Sequence, residues 1–487
     1  MKLFDFRYKG VRVKQNYSDV FKYYLLTLYG VVTGMFFLLA FFQSKVIFQG
    51  TIKEISFNSL VLLFVGVLAS FIMALFLFPI SRRFIFLQRV CRMLYDSQFY
   101  IVNNFVDNNM VTSKEEKIKR EIIYFPRCYI KVKGNKLFFT IQLDGSKFHQ
   151  SGSYEKLSGV LEQRFDANLA DVYEKNSFLT YTFDSNLKAN RISIDDVTVK
   201  GSKIKLMKNA VWDVEKVPHA LVVGGTGGGK SYLLMVLIEA FAKMGADIRI
   251  ADPKNADLSD YSKVLKNVSV DKEDINNMIK TVVEDMEKRY EYVKTLPNYS
   301  AGHSYEYYGL KPIFLIVDEY VAFLSNFSKK GDRDSVLNDI RQIILKGRQV
   351  GVFGIFATQR PDAKYLEGNI RDQLGLKVSV GKLESDGYRM TFGKTDQELK
   401  NKGSMKARGY IDMLVYDFIH GFYSPVVPKD YNFIEAFRKV AGVSAREFEA
   451  QAENSSETEK GGPLSDSEEY ILREQVYEKV DRYERSE

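Results

Sequence analysis

Residues 219–231 read HALVVGGTGGGKS and run directly into YLLMVLIEAFAKM at 232–244. An apolar strand-like run, a glycine-rich turn and a helix-like run in that order make a phosphate loop. Within Gly224-x-x-x-x-Gly229-Lys230-Ser231, glycines let successive backbone N–H groups turn inward around an anion. Gly224, Gly225, Thr226, Gly227, Gly228, Gly229, Lys230 and Ser231 are therefore the candidate nucleotide-binding residues. Lys230 would reach the β and γ oxygens of a nucleoside triphosphate such as ATP, and Ser231 would offer its hydroxyl to Mg²⁺.

Further along, PIFLIVDEY at 312–320 has the pattern of a buried strand ending in Asp318-Glu319. After a phosphate loop, that pair is expected to supply a Mg²⁺-shell carboxylate, Asp318, and a residue that orients or deprotonates water, Glu319. The plainer alternative is an acidic strand end that caps the next helix. A third apolar run, GVFGIFAT at 351–358, leads to Gln359-Arg360, where a parallel strand's carboxyl end meets a nucleotide. Gln359 is thus a candidate sensor of the γ-phosphate. The preceding helix-like stretch at 334–351 carries Arg341, Lys346 and Arg348 toward its end. For Arg341 and Lys346, a charge complementing the helix dipole is an equal reading. ADIRIADPKNADLSD at 246–260 adds Asp252-Pro253-Lys254 at another strand end, with no role legible from sequence. Alternating strands and helices over roughly 200–430 predict an α/β doubly wound domain with a mostly parallel sheet.

The 487 residues are 46% hydrophobic and 27% charged, enough for two or three domains with proper cores, and this excludes wholesale disorder. Two cysteines, Cys91 and Cys128, give no material for a disulfide framework or a thiolate zinc site. The four histidines show no ligand spacing, so any metal should be held by oxygens. The net charge of +8 hides an asymmetry. Residues 451–487 hold eleven Asp/Glu against five Lys/Arg, leaving +14 on the preceding 450 residues. That balance suits an anionic partner, nucleic acid or membrane, as well as an ordinary solvated surface.

Two 22-residue stretches, 21–42 and 59–80, carry one charge and none respectively. About 20 apolar residues span a bilayer, so a two-helix transmembrane hairpin is expected. Basic residues flank it on both outer sides, with only Lys45 and Lys53 between. This predicts a multi-pass protein of the cell membrane with both termini cytoplasmic. From about residue 122, two β-branched and aromatic runs around Gly134-Asn135 signal a hairpin. A helical stretch near 153–166 and the run SFLTYTF at 177–183 follow. The expected organisation is a basic N-terminus at 1–20, the membrane hairpin at 21–80, a small α/β adaptor at 81–200, the nucleotide-binding domain at 201–435 and an acidic, largely disordered tail at 436–487.

GGTGGGKS, ADPKNADL, FLIVDEY and KGRQVGVFGIFATQRP, in that order, resemble the motor domain of the FtsK/SpoIIIE DNA translocases over roughly 205–425. GRQVG with ATQRP resembles the family's RAAG box, with Gln349 and Val350 in place of its two alanines. The resemblance implies a RecA-like P-loop ATPase, ATP and Mg²⁺ as cofactors, and a homo-hexameric ring threaded by double-stranded DNA held without regard to sequence. It implies that Arg348 acts on the neighbouring subunit's γ-phosphate, with Arg360 a weaker candidate. Pore loops would fall at SNFSKKGDR (325–333) and PDAKYLEGNIRD (361–372), so Lys329, Lys330, Arg333, Lys364 and Arg371 would meet phosphates. With two expected spans, no long linker and an acidic tail, the chain is similar to TcpA-type coupling proteins of conjugative elements. That likeness implies conjugative DNA transfer, with relaxase or channel proteins as partners. The alternatives are a type VII-like protein-secretion ATPase, an FtsK-like chromosomal translocase, and a receptor in which nucleotide only organises assembly.

Overall fold

The computed structural model describes residues 9–31, 34, 83–106, 118–362, 364–366, 368–395, 397, 399 and 407–442. The chain forms two compact units, Met1–Asn186 and Leu187–Glu487.

In the first unit, strands β1 (Val11–Arg12), β4 (Cys128–Lys133), β5 (Lys136–Gln142), β6 (Asn168–Lys175) and β7 (Phe178–Asp184) build an antiparallel sheet in the order β1-β4-β5-β7-β6. The strands β2 (Ile101–Val106) and β3 (Ile118–Tyr124) pair separately. The hairpin expected around Gly134-Asn135 is present: Lys133 pairs with Lys136 across it, and Gly134 adopts φ +57°. Alternation on β5 drives Leu137, Phe139 and Ile141 into the core. The helical stretch near 153–166 is a helix at Ser158–Phe165. Cys91 and Cys128 are buried free thiols, and burial pushes Cys91 up to about 11.

The expectation of a multi-pass membrane protein is corrected. Among the described residues, no helix is long and apolar enough to cross a membrane. The longest, Lys272–Thr295, has 24 residues but carries charges along its length. Residues 20–31 and 34 are helical. Residues 35–42 and the whole of the stretch at 59–80 lie outside the described residues, as does the tail from 443.

The second unit begins with a small antiparallel sheet of β8 (Val199–Lys200), β9 (Lys203–Met207) and β10 (Ala210–Asp213). Its Trp212 is fully buried and donates Nε1–H to Val217 O at 2.8 Å. The segment before it packs within the same unit, where Arg191 Nε donates to Ser424 O at 2.7 Å.

The main sheet has eight strands. They are β11 (Ala220–Gly224), β12 (Asp247–Ala251), β13 (Val268–Ser269), β14 (Ile313–Val317), β15 (Val352–Thr358), β16 (Leu376–Val380), β17 (Arg408–Met413) and β18 (His420–Tyr423), in the order β13-β12-β14-β15-β11-β16-β17-β18. The first six in that order are mutually parallel, and β17 and β18 add an antiparallel edge. This is the α/β P-loop architecture that the alternation of runs predicts. β11, β14 and β15 are apolar without interruption because both faces are covered. On one face, helices Lys230–Lys243 and Phe433–Ala441 close a core that includes Phe241, Phe314, Phe353 and Phe437; the rings of Phe241 and Phe314 stack at 3.7 Å. On the other, helices Lys272–Thr295 and Lys330–Lys346 cover Leu315, Val317 and Phe356.

Candidate functional site

The parallel register brings the carboxyl ends of β12, β14, β15, β11 and β16 to one edge, the position where α/β sheets bind ligands. Gly224 ends β11, and residues 225–229 loop over the end of β16 before the helix begins at Lys230. The glycines are steric necessities. A Cβ on Gly228 would lie 2.7 Å from Val380 O and 2.9 Å from Gly225 O, and one on Gly224 2.8 Å from Val380 O. Gly227 and Gly229 adopt φ +73° and +104°, which side-chain-bearing residues rarely reach. Two backbone bonds pin the loop: Gly228 N donates to Gly225 O at 2.9 Å, and Ala407 N to Gly228 O at 3.1 Å. Thr226 and Gly227 remain exposed at its crest. No side chain caps the following helix, so its first N–H groups and dipole favour an anion there.

Lys230 is buried and donates from Nζ to Asp318 Oδ1 and, at 2.6 Å, to Glu319 Oε1. Both carboxylates are buried as well. Asp318 N donates to Ala251 O at 2.9 Å, carrying the strand pairing of β12 and β14 one residue further. Asp318 Oδ1 also accepts from Glu319 N at 2.9 Å. Glu319 sits in the left-handed region at φ +46°, ψ +46°, a strain of roughly 1–2 kcal/mol for a residue with a Cβ. It turns the chain between β14 and the helix Tyr320–Ser325. The expected trio of Lys230, Asp318 and Glu319 is thus assembled from residues nearly 90 positions apart.

Val223 pairs with Thr358, so Gln359 follows at the same edge and is exposed. Arg348 is not brought there. It lies in the turn Gly347–Val350 before β15, whose seven residues put about 20 Å of extended chain between it and Gln359. Arg348 is exposed, and its Nε donates to Glu215 O at 2.9 Å. The two segments read as pore loops meet at Tyr365. Tyr320 OH donates to Tyr365 O at 3.0 Å, and the ring lies 5.9 Å from the Arg333 guanidinium and 5.3 Å from Lys364 Nζ. Lys329 and Lys330 are exposed nearby in sequence. Arg371 is held elsewhere, donating to Met390 O at 3.1 Å.

Sequence reasoning left Asp252 and Lys254 without a role, yet they border the site. Asp252 is fully buried at the end of β12, and Lys254 Nζ lies 3.4 Å from Glu319 Oε1. The available signal was Asp252 directly after a strand, the same position that marks Asp318 after β14.

The FtsK/SpoIIIE family model matches residues 195–300. The FtsK domain-containing protein YdcQ of Bacillus subtilis is 37% identical over 395 residues, covering 80% of this chain and 81% of that protein. The chain belongs to the FtsK/SpoIIIE family. It is a P-loop ATPase. The DNA translocase SftA of the same organism is 27% identical over 217 residues, or 40% of this chain and 22% of SftA. Among solved structures, the pCW3 conjugation coupling protein TcpA, in its monomer form with ATPγS, aligns with 65% of this chain and 94% of its own at 16% identity, with a TM-score of 0.46.

Proposed function

We propose that this ATPase drives DNA movement and, more narrowly, serves as the coupling protein that delivers DNA in conjugative transfer. The observation carrying the motor reading is the buried Lys230 between Asp318 and Glu319, directly behind a loop built to surround phosphates. A binding module needs the loop; hydrolysis also needs a carboxylate placed to aim water, the role assigned to Glu319. Lys230 binds the β and γ phosphate oxygens. The donor set of one hydroxyl and one carboxylate, Ser231 and Asp318, suits Mg²⁺, a hard cation that takes one or two protein oxygens with its phosphates and waters. When bound, Mg²⁺ neutralises charge building on the phosphates. Among the described residues, no cluster of three or more His, Cys, Asp or Glu offers a rival metal site.

Gln359, beside the loop, senses the γ-phosphate. Arg348 is too far along β15 to serve its own chain's site, so it acts on a neighbour's in a homo-hexameric ring. Lys329, Lys330, Arg333 and Lys364 meet the duplex backbone, giving binding that depends on salt more than on sequence. DNA as substrate is supported by family membership and by relatives that are DNA translocases. YdcQ is matched over 81% of its length and SftA over 22%, so what is shared with the named translocases is a motor-sized segment. The conjugative role rests on the sequence resemblance to TcpA-type proteins, with a relaxase or channel protein as the partner that confers specificity. Motor similarity to SftA keeps a chromosomal translocase as the second reading.

Triplex displacement tests the proposal. With ATP, the full chain should strip a third strand from duplex DNA, and Lys230→Ala should not. Failure to displace it, with ATP hydrolysis intact, would remove DNA movement from the account.

A further inference from the structure

Glu319 is a buried carboxylate whose Oε1 is approached by two ammonium groups from different elements. Lys230 comes from the helix behind the phosphate loop at 2.6 Å, and Lys254 from the turn after β12 at 3.4 Å. The two lysines differ in freedom: the Lys230 side chain is 8% exposed and that of Lys254 45%. Lys230 is the loop's phosphate ligand. Once its hydrogen bonds go to phosphate, Glu319 would be left as an unpaired charge among buried groups, an unfavourable arrangement unless another partner is in place.

The turn carrying Lys254 is built for that partnership. Asp252, with no exposed surface, accepts N–H bonds from Lys254 at 3.3 Å, Ala256 at 2.8 Å and Ser259 at 3.1 Å. Asn255 N closes the turn on Asp252 O at 3.0 Å, with Asn255 itself at φ +48°. Because Ala251 pairs with Val317, the turn is locked in register beside Asp318-Glu319. A surface lysine with no task would not need a fully buried carboxylate to set its backbone.

We propose that Lys254 is a positioning residue for hydrolysis. It holds the Glu319 carboxylate paired and aimed when Lys230 engages the nucleotide, and it makes no phosphate contact of its own. The proposal rests on Glu319 as the water-orienting group. It is tested on the full chain by measuring kcat, KM and the affinity for a non-hydrolysable ATP analogue in Lys254→Ala, Lys254→Arg, Glu319→Gln and the double variant Lys254→Ala/Glu319→Gln. Misplacing an aimed group costs up to roughly a hundredfold, so Lys254→Ala should lower kcat about 10- to 100-fold and leave analogue affinity unchanged. Lys254→Arg should restore most of kcat, and the double variant should be no worse than Glu319→Gln alone. Unchanged kcat in Lys254→Ala, with Glu319→Gln inactive, overturns the positioning role while sparing the reading of Glu319. Affinity that falls in step with kcat overturns it in favour of a phosphate contact. Full turnover in Glu319→Gln overturns the underlying reading itself.

Discussion

Two buried polar groups at opposite ends of the eight-stranded sheet are handled differently. At the carboxyl end, Lys230, Asp318 and Glu319 are buried as charges and answer one another. At the amino end, the buried titratable group beside β11 and β15 is kept neutral. His219, with no exposed surface, accepts at Nδ1 from Gly354 N at 3.0 Å, and burial depresses it to about 4. The turn leading into β15 at that end is sealed by close contacts. A Cβ on Gly347 would lie 2.2 Å from Val352 O, and one on Gly351, at φ +73°, 2.5 Å from the Tyr305 ring. Charge is buried away from the site too, at Arg249, paired with Asp247 and Asp285, and at Lys377 near the start of β16; what sets the carboxyl end apart is that its paired charges can be handed to a ligand.

The largest expected effect is at the charged end. Lys230→Ala and Glu319→Gln should each lower ATP turnover by roughly 10²–10³-fold, the usual loss for one aimed electrostatic group. Only Lys230→Ala should also weaken ATP binding; equal binding losses would erase the division of labour within the trio.

The neutral end gives the next effect, read as stability against pH. The unfolded imidazole takes up a proton below pH 6.5, the folded one only near pH 4. The unfolded state therefore binds more protons in that window, and stability falls as pH drops from 6.5 toward 4, by about 3 kcal/mol in all. Denaturant titrations of the full chain should show this slope, and His219→Gln should flatten it. A slope that survives the substitution would place the titrating group elsewhere.

Smaller again is Gly228→Ala. Its Cβ must displace backbone oxygens on two sides, so a stability loss of about 1–3 kcal/mol is expected, together with weaker ATP binding by isothermal titration. Arg348→Ala closes the series. Its side chain donates to Glu215 O at the far end, so ATP affinity should hold while turnover in assembled protein falls about tenfold, near 1.4 kcal/mol. Lost affinity in dispersed chains would argue that Arg348 serves its own site after all.

What was legible in the sequence follows from how locally each feature is determined. The phosphate loop declares itself because the glycine positions and Lys230 are set by contacts within a few residues and with one neighbouring strand. Asp318-Glu319 could be read because a buried parallel strand leaves a continuous apolar run that ends at the site. Lys254 could not: its partner lies 65 positions away, and only the pairing of β12 with β14 joins them. The GRQVG run was readable as a family feature but not for its mechanics. Both glycines prove to be demanded by close approach, while Arg348 and Gln349 are exposed. Arg371 misled because a basic residue in a polar segment looks like a surface contact until its tertiary acceptor, Met390 O, is seen. The membrane expectation rested on hydropathy and flanking basic residues, and no described helix meets its length and apolarity.

The most direct test of the central claim, that the charged end is the engine of a DNA motor, is steady-state ATP turnover of the full chain titrated with duplex DNA, beside Glu319→Gln. Duplex should raise kcat in the intact protein, salt should weaken the stimulation, and Glu319→Gln should bind ATP but stay inactive at every DNA concentration. Turnover indifferent to DNA, or a Glu319→Gln chain that hydrolyses ATP like the intact protein, would contradict that claim.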